Sequence, residues 1–287
     1  NPNNLSDVIR ENGIPQTWDK GRSLLVFHRV IHGDNSWFND QAYLDTMNPE
    51  AVARFIAVTH EKYRQEIGSE FGKLVPGIFS DEPNYLHSDT GIGTAWTDSL
   101  PEIFRKEYGY DLLNHLPEIF CNIDRQEFSK ARLDYRNLCT KLFTEAFAKL
   151  VGQWCADNNL QMTGHVLHED DLVRQTPISG AVMRFYEHMQ TPGIDLLTEH
   201  WGIFNVAKQC TSAAHQFGQT RRLTETYGCT GWDFPFAGHK ALGDWQYAMG
   251  INYRCQHLAW YSMAAEGKRD YPASISYQSP WYNHYSI

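Results

Sequence analysis

The sequence predicts an α/β fold, a (β/α)8 TIM-type barrel, complete or irregular, over residues 1–287. Three observations predict it. Short strand-like apolar runs alternate with long helical ones, the signature of successive β/α units and hence of a parallel sheet. Two of the short runs bring carboxylates to their C-terminal ends, where a β/α barrel keeps its chemistry. A length of 287 residues, 42% of them hydrophobic, suits one barrel-sized core.

Strands are expected at 24–31, 74–79, 160–167, 182–189, 222–227 and 252–261, a number approaching the eight of a barrel. Helices fill the gaps. Asn48 is a cap residue followed by Pro49 at the first helical position, and Val52, Phe55, Ile56 and Tyr63 mark one apolar face. A longer helix spans about 131–157, with Leu138, Leu142, Ala146, Leu150 and Trp154 at steps of four and Phe143, Phe147 and Val151 beside them. It stops at Asn158-Asn159, just before the strand beginning at Leu160. Further helices are expected over 203–217 and 238–249. The stretches 85–100 and 111–129 break the rhythm, as long loops that build a substrate site do.

A net charge of -9 argues against a nucleic-acid or anionic-membrane partner, since both need a basic patch. No apolar run reaches the ~18 residues that span a bilayer. Cys121, Cys139, Cys155, Cys210, Cys229 and Cys255 form no Cys-x-x-Cys pair, which argues against a zinc ribbon and for reduced, structural thiols. The chain starts without Met and stops in the aromatic run Trp281-Tyr282-Asn283-His284-Tyr285, so it is expected to be the catalytic domain of a larger protein.

Hydrolysing a glycosidic bond needs one protonated carboxyl group to assist the leaving oxygen and one ionised carboxylate to activate water or attack carbon. Glu82 and Glu225 are the leading pair. Glu82 follows an apolar run in Ser80-Asp81-Glu82-Pro83-Asn84-Tyr85; its plainer reading is an exposed loop carboxylate. Glu225 lies between two threonines in a strand, where the plainer reading is an ion pair with Arg221 or Arg222. Glu187, near the end of the run 182–189, is a third candidate, equally readable as a buried supporting carboxylate. His165 comes late on a strand and is placed to bind a sugar hydroxyl, and Glu169, Asp170 and Asp171 offer oxygens to a hard cation such as Ca²⁺. Asp81, Tyr85, Trp232, Asp233, His257 and Trp281 complete the candidate substrate contacts, the rings as platforms for sugar faces. Gly91-Ile92-Gly93 lacks the third glycine of a dinucleotide loop, and no His-Glu-x-x-His, Gly-x-Ser-x-Gly or Walker motif occurs.

The stretches Asn48-Pro49-Glu50-Ala51-Val52, Pro76-Gly77-Ile78-Phe79-Ser80-Asp81-Glu82-Pro83-Asn84-Tyr85, Thr163-Gly164-His165, Tyr186-Glu187-His188-Met189-Gln190, Pro192-Gly193-Ile194-Asp195, Gly228-Cys229-Thr230-Gly231-Trp232-Asp233 and Lys268-Arg269-Asp270-Tyr271-Pro272 together resemble large bacterial glycoside hydrolases close to the α-L-rhamnosidases of glycoside hydrolase family 106. The resemblance implies a β/α barrel flanked by β-rich domains, removal of terminal L-rhamnose with inversion, and assistance by Ca²⁺. It implies Glu82 and Glu225 as the carboxyl pair, with Glu187 as a third acidic site residue. The setting is left open between a bacterial cytoplasm and a periplasm.

Two other readings stand beside this one: a retaining barrel glycosidase with a glutamate nucleophile, and a barrel that binds carbohydrate without turnover. A carboxyl separation of roughly 6.5 to 9.5 Å marks inversion and about 5 to 5.5 Å marks retention.

Overall fold

The computed structural model describes residues 25–31, 33–86, 93–123, 128–199, 202–257, 262, 264, 275, 279 and 281–285. The chain divides into two units, Asn1–His32 and Gly33–Ile287. In the first, the described residues 25–31 form neither helix nor strand, so the strand expected there is absent. All the elements below belong to the second.

The order is α1 (Pro49–Val58), α2 (His60–Ile67), β1 (Gly77–Ser80), α3 (Leu100–Tyr108), α4 (Leu116–Phe120), α5 (Lys130–Phe143), α6 (Lys149–Asp157), β2 (Gln161–Gly164), α7 (Leu172–Ile178), α8 (Val182–Tyr186), β3 (Gly193–Asp195), α9 (Phe204–Phe217), β4 (Leu223–Thr226), α10 (Phe236–Ala248) and β5 (Tyr253–Gln256). α1 starts where the cap residue predicts, the Asn48 side chain accepting from the amides of Glu50 and Ala51. α5 and α6 form one rod joined by a π-helical segment, Thr144–Ala148. The rod buries Tyr135, Leu138, Phe143, Phe147, Val151 and Cys155. Phe143, Phe147 and Phe185 stack at its centre with centroids 5.0 to 6.2 Å apart.

All ladders are parallel. β1 pairs with β2 in one sheet, and β3, β4 and β5 form a second in that order. β2 and β3 adjoin because both present glycine: a Cβ on Gly193 would lie 2.5 Å from the Gly164 carbonyl. Gly164 itself has φ 116°, and a Cβ there would strike the Ser80 carbonyl at 2.1 Å. Behind β4, Gln246 of α10 donates to the hydroxyls of Thr224 and Thr226 and to the Leu196 carbonyl. Strand alternation therefore turns Glu225 to the opposite face.

The expected alternation of strand and helix is present, and two stretches differ from expectation: 111–129, expected as a loop, holds α4, and 182–189, expected as a strand, holds α8. Among the described residues there are five strands in two sheets, and no closed eight-stranded barrel. The run 182–189 is not a strand: Val182, Phe185, Tyr186 and Met189 are all buried, and their i, i+3, i+4, i+7 spacing is helical. The strand of that unit is β3, after Pro192. The last expected run, 252–261, holds β5, and 258–261 lie outside the described residues.

Candidate active site

Because the five strands run parallel, their C-terminal ends share one side of the sheets, and each carries an ionisable residue. Asp81 and Glu82 follow β1, His165 follows β2, Asp195 ends β3, Glu225 lies one residue from the end of β4, and His257 follows β5. Asp195 pairs in register with Glu225.

Glu225 is held by two imidazoles. His165 Nε2 lies 2.8 Å from its Oε2, and His257 Nε2 lies 3.5 Å from its Oε1. Burial alone would raise the Glu225 pKa, but the His165 hydrogen bond and the charges of His165 and His257 outweigh it and hold the group below its ordinary value. His165 is itself buried, which lowers its pKa; the hydrogen bond to Glu225 and the charges of Glu169, Asp195 and Glu225 reverse this and bring it to about 9. At neutral pH it is an imidazolium. Its ring also lies 3.4 Å from Asp81 Oδ1 and meets Phe79 edge-on.

Glu82 shows the opposite behaviour. Its side chain is open to solvent on one side and hemmed in by protein on the other. Desolvation, with the negative charges of Asp81 and Glu225, raises its pKa against the opposing pull of His165. Its backbone has φ 47°, a left-handed conformation uncommon for a residue with a Cβ. The following loop fixes it: Asn84 Nδ2 donates to the Glu82 carbonyl, Thr46 Oγ1 donates to the Asn84 carbonyl at 2.7 Å, and the Tyr85 amide donates to the Ile178 carbonyl. Strain held in this way collects at functional sites.

Asp195 belongs to the family stretch Pro192-Gly193-Ile194-Asp195 but was given no site role in the sequence. It is pushed up to about 7, chiefly by burial, with His165 opposing and Glu225, Glu82 and Asp81 adding to the rise. The signal that could have found it is its place at the end of Gly193-Ile194-Asp195, equivalent to that of Glu225.

Several expected site residues lie elsewhere or serve other ends. Glu187 follows the short helix α8 and precedes β3, so it sits toward the N-terminal ends of the strands; it pairs with Arg184 and lines a cleft of about 500 Å³ with Lys141, Lys149 and His188. Tyr85 is buried, donates to the Thr176 carbonyl at 2.6 Å and packs on Phe143, so it braces the Glu82 loop and presents no sugar platform. Trp281 packs among Phe236, His239 and Tyr285. Trp232 and Asp233 are exposed in the loop after β4. The family stretch Lys268-Arg269-Asp270-Tyr271-Pro272 lies outside the described residues.

The acidic trio does not fit Ca²⁺. Glu169 is buried and accepts the Val166 and Asp195 amides with its two oxygens, Asp170 is exposed, and Asp171 caps α7 by accepting from Val173 and Arg174. Two other sets, Asp81–His165–Glu225 and Glu82–His165–Asp195, bring possible ligand atoms within 4.8 Å of one another. Both include His165, which offers a nitrogen, whereas Ca²⁺ takes six to eight oxygens.

The family model for glycoside hydrolase family 106, described as alpha-L-rhamnosidase, matches residues 41–265. The chain belongs to glycoside hydrolase family 106. The matched region holds every strand-end residue described above, and Trp281 lies beyond it. Among solved structures, the family 106 chain is similar to the rhamnosidase from Novosphingobium sp. PP1Y, with a TM-score of 0.63 and 21% identity. The match covers 79% of this chain and 22% of that one, so the likeness is one of fold and the chain spans about a fifth of that enzyme's length. No curated protein sequence matches it. No helix among the described residues is long and apolar enough to cross a membrane.

Proposed function

We propose that this family 106 chain is a catalytic domain, its five parallel strands an arc of a β/α barrel, that removes terminal L-rhamnose from a plant or bacterial glycan or glycoside with inversion. The observation that carries the reading is the contrast between Glu82 and Glu225: two carboxylates at the C-terminal ends of strands from the two sheets, both in contact with the charge of His165, one pushed toward the protonated form and the other held ionised. Carboxyl pairs whose environments push them apart identify the acid and the base.

Glu82, protonated, donates to the glycosidic oxygen as the bond to the leaving group breaks. Glu225, ionised, accepts a proton from the water whose oxygen attacks the anomeric carbon. Glu82 finishes ionised and Glu225 protonated, and exchange with solvent resets both. His165 keeps Glu225 ionised, and with His257 it limits the carboxylate's rotation. In this reading Asp81, exposed beside His165, contacts sugar hydroxyls, and the Trp232 ring, exposed in the loop after β4, covers the sugar face. No step runs through Ca²⁺.

The test is turnover of 4-nitrophenyl α-L-rhamnoside followed by proton NMR. Inversion makes β-L-rhamnose the first-formed anomer. The α-anomer first would support the retaining reading, and no turnover of any nitrophenyl glycoside would leave only carbohydrate binding.

A further inference from the structure

The two sheets carry the two halves of the proposed acid–base pair. Glu82 follows β1 of the two-stranded sheet, and Glu225 lies in β4 of the three-stranded one. No ladder joins β2 to β3 among the described residues. At the N-terminal ends the sheets are tied by Gln190 and Thr191: Gln190 Oε1 accepts the Met162 amide, and the Thr191 amide donates to the Met162 carbonyl. At the catalytic end they are tied by the His165–Glu225 hydrogen bond and by Glu169, which alone of the two binds backbone on both sides.

Glu169 is 2% exposed. Its Oε2 accepts the Val166 amide at 3.0 Å and its Oε1 accepts the Asp195 amide. Val166 follows His165, the residue bonded to Glu225, and Asp195 is the register partner of Glu225. Asn205 and Gln209 of α9 in turn donate to the Glu169 carbonyl at 3.2 and 3.0 Å. Burial pushes the Glu169 carboxyl up to about 8, against the pull of His165 and of the two amide bonds, and a buried carboxyl group is costly unless both oxygens are hydrogen-bonded. Here the two bonds go to different strand ends, and the span between those ends is set by one rigid group.

We propose that Glu169 is a positioning residue, a strap across the ends of β2 and β3 that fixes the separation of Glu82 from Glu225. The inference rests on the reading of those glutamates as acid and base. The separation matters because it determines whether a water fits between attacking carboxylate and sugar.

The test compares Glu169→Gln and Glu169→Ala with the wild type, Glu82→Gln and Glu225→Gln on 4-nitrophenyl and methyl α-L-rhamnosides, below each variant's Tm. In Glu169→Gln an amino group replaces one acceptor and faces an amide donor. The expected result is a kcat loss of about 100-fold, the scale of a 1 Å misplacement, with little change in KM. The loss should be larger on the methyl glycoside, whose poor leaving group depends on the acid. A fold that is merely loosened lowers both rates by one factor, so equal losses overturn the proposal, as does wild-type kcat in both variants. Crystal structures of wild type and Glu169→Gln give a readout independent of turnover: the gap between the Val166 and Asp195 amides should widen in the variant, and an unchanged gap overturns the strap. Should Glu82→Gln and Glu225→Gln keep wild-type rates, the acid–base reading fails by itself, and this gap decides the role of Glu169.

Discussion

His165 Nε2 lies 2.8 Å from Glu225 Oε2, so a side chain from the end of β2 reaches across to a strand of the other sheet. This one hydrogen bond links the geometry of the cleft to its proton chemistry. It holds Glu225 in place, keeps it ionised and makes His165 the cation among Asp81, Glu82, Asp195 and Glu225.

Replacing either glutamate by its amide should leave the fold intact and remove most turnover. General acid–base catalysis is worth about 10²- to 10⁴-fold, so kcat in Glu82→Gln and Glu225→Gln should fall by that order. Glu82→Gln should recover best on substrates with activated leaving groups, and Glu225→Gln should not. Circular dichroism and steady-state kinetics check this.

The pH–rate profile should be bell-shaped and centred in the acidic range. Glu225 works ionised and is held below the ordinary 4.5, so activity falls only at strongly acidic pH. Glu82 works protonated and is raised above 4.5, so activity falls on the alkaline side as it ionises. Profiles of kcat/KM from about pH 3 to 9 test the assignment. Exchanged limbs would exchange the roles.

His165→Gln should move the acidic limb to higher pH, because Glu225 loses the bond and charge that favour its ionised form. Stability should respond too. The folded-state pKa of His165 is raised from 6.5 to about 9, so its contribution is fully present below 6.5 and lost as pH rises through about 9. The wild-type Tm should therefore decline over that window, and the decline should be shallower in the variant.

Tyr85→Phe should lower stability by about 1 kcal/mol, the net worth of a typical hydrogen bond, by removing the bond to the Thr176 carbonyl. The activity of the folded fraction should remain near wild type. A KM rise without loss of stability would return Tyr85 to the substrate contacts.

Glu187→Gln and Asp170→Asn should each leave kcat close to wild type and, as surface substitutions, change stability by no more than about 0.5 kcal/mol, since Glu187 pairs with Arg184 in a separate cleft and Asp170 is exposed. Asp170→Asn should also leave any response to added Ca²⁺ unchanged. Calcium titrations of the two proteins measure this.

Backbone periodicity was largely legible in the sequence. Steps of four from Leu138 to Trp154 foretold the rod of α5 and α6, and Asn48-Pro49 foretold the start of α1. The apolar runs before Glu82 and around Glu225 foretold β1 and β4. These signals are local: each depends on residues within a few turns or pleats of one another. The helical spacing of Val182, Phe185, Tyr186 and Met189 was present as well, but in a short apolar run it competes with a strand reading, and burial on all four decided it.

The roles of the polar residues were decided only by tertiary structure. Nothing local distinguishes Glu169, whose oxygens bind two backbone amides, from Asp170 beside it, which is exposed. Tyr85 and Trp281 are aromatic in the sequence whether they pack or bind sugar, and the neighbours Phe143 and Phe236 settle that they pack. The protonation of Glu225 depends on His165, 60 positions earlier in the chain, and that of Glu82 on partial desolvation by the cleft. A sequence specifies which groups can ionise, but the free energy of ionising each is set by burial and by charges that folding brings from distant positions.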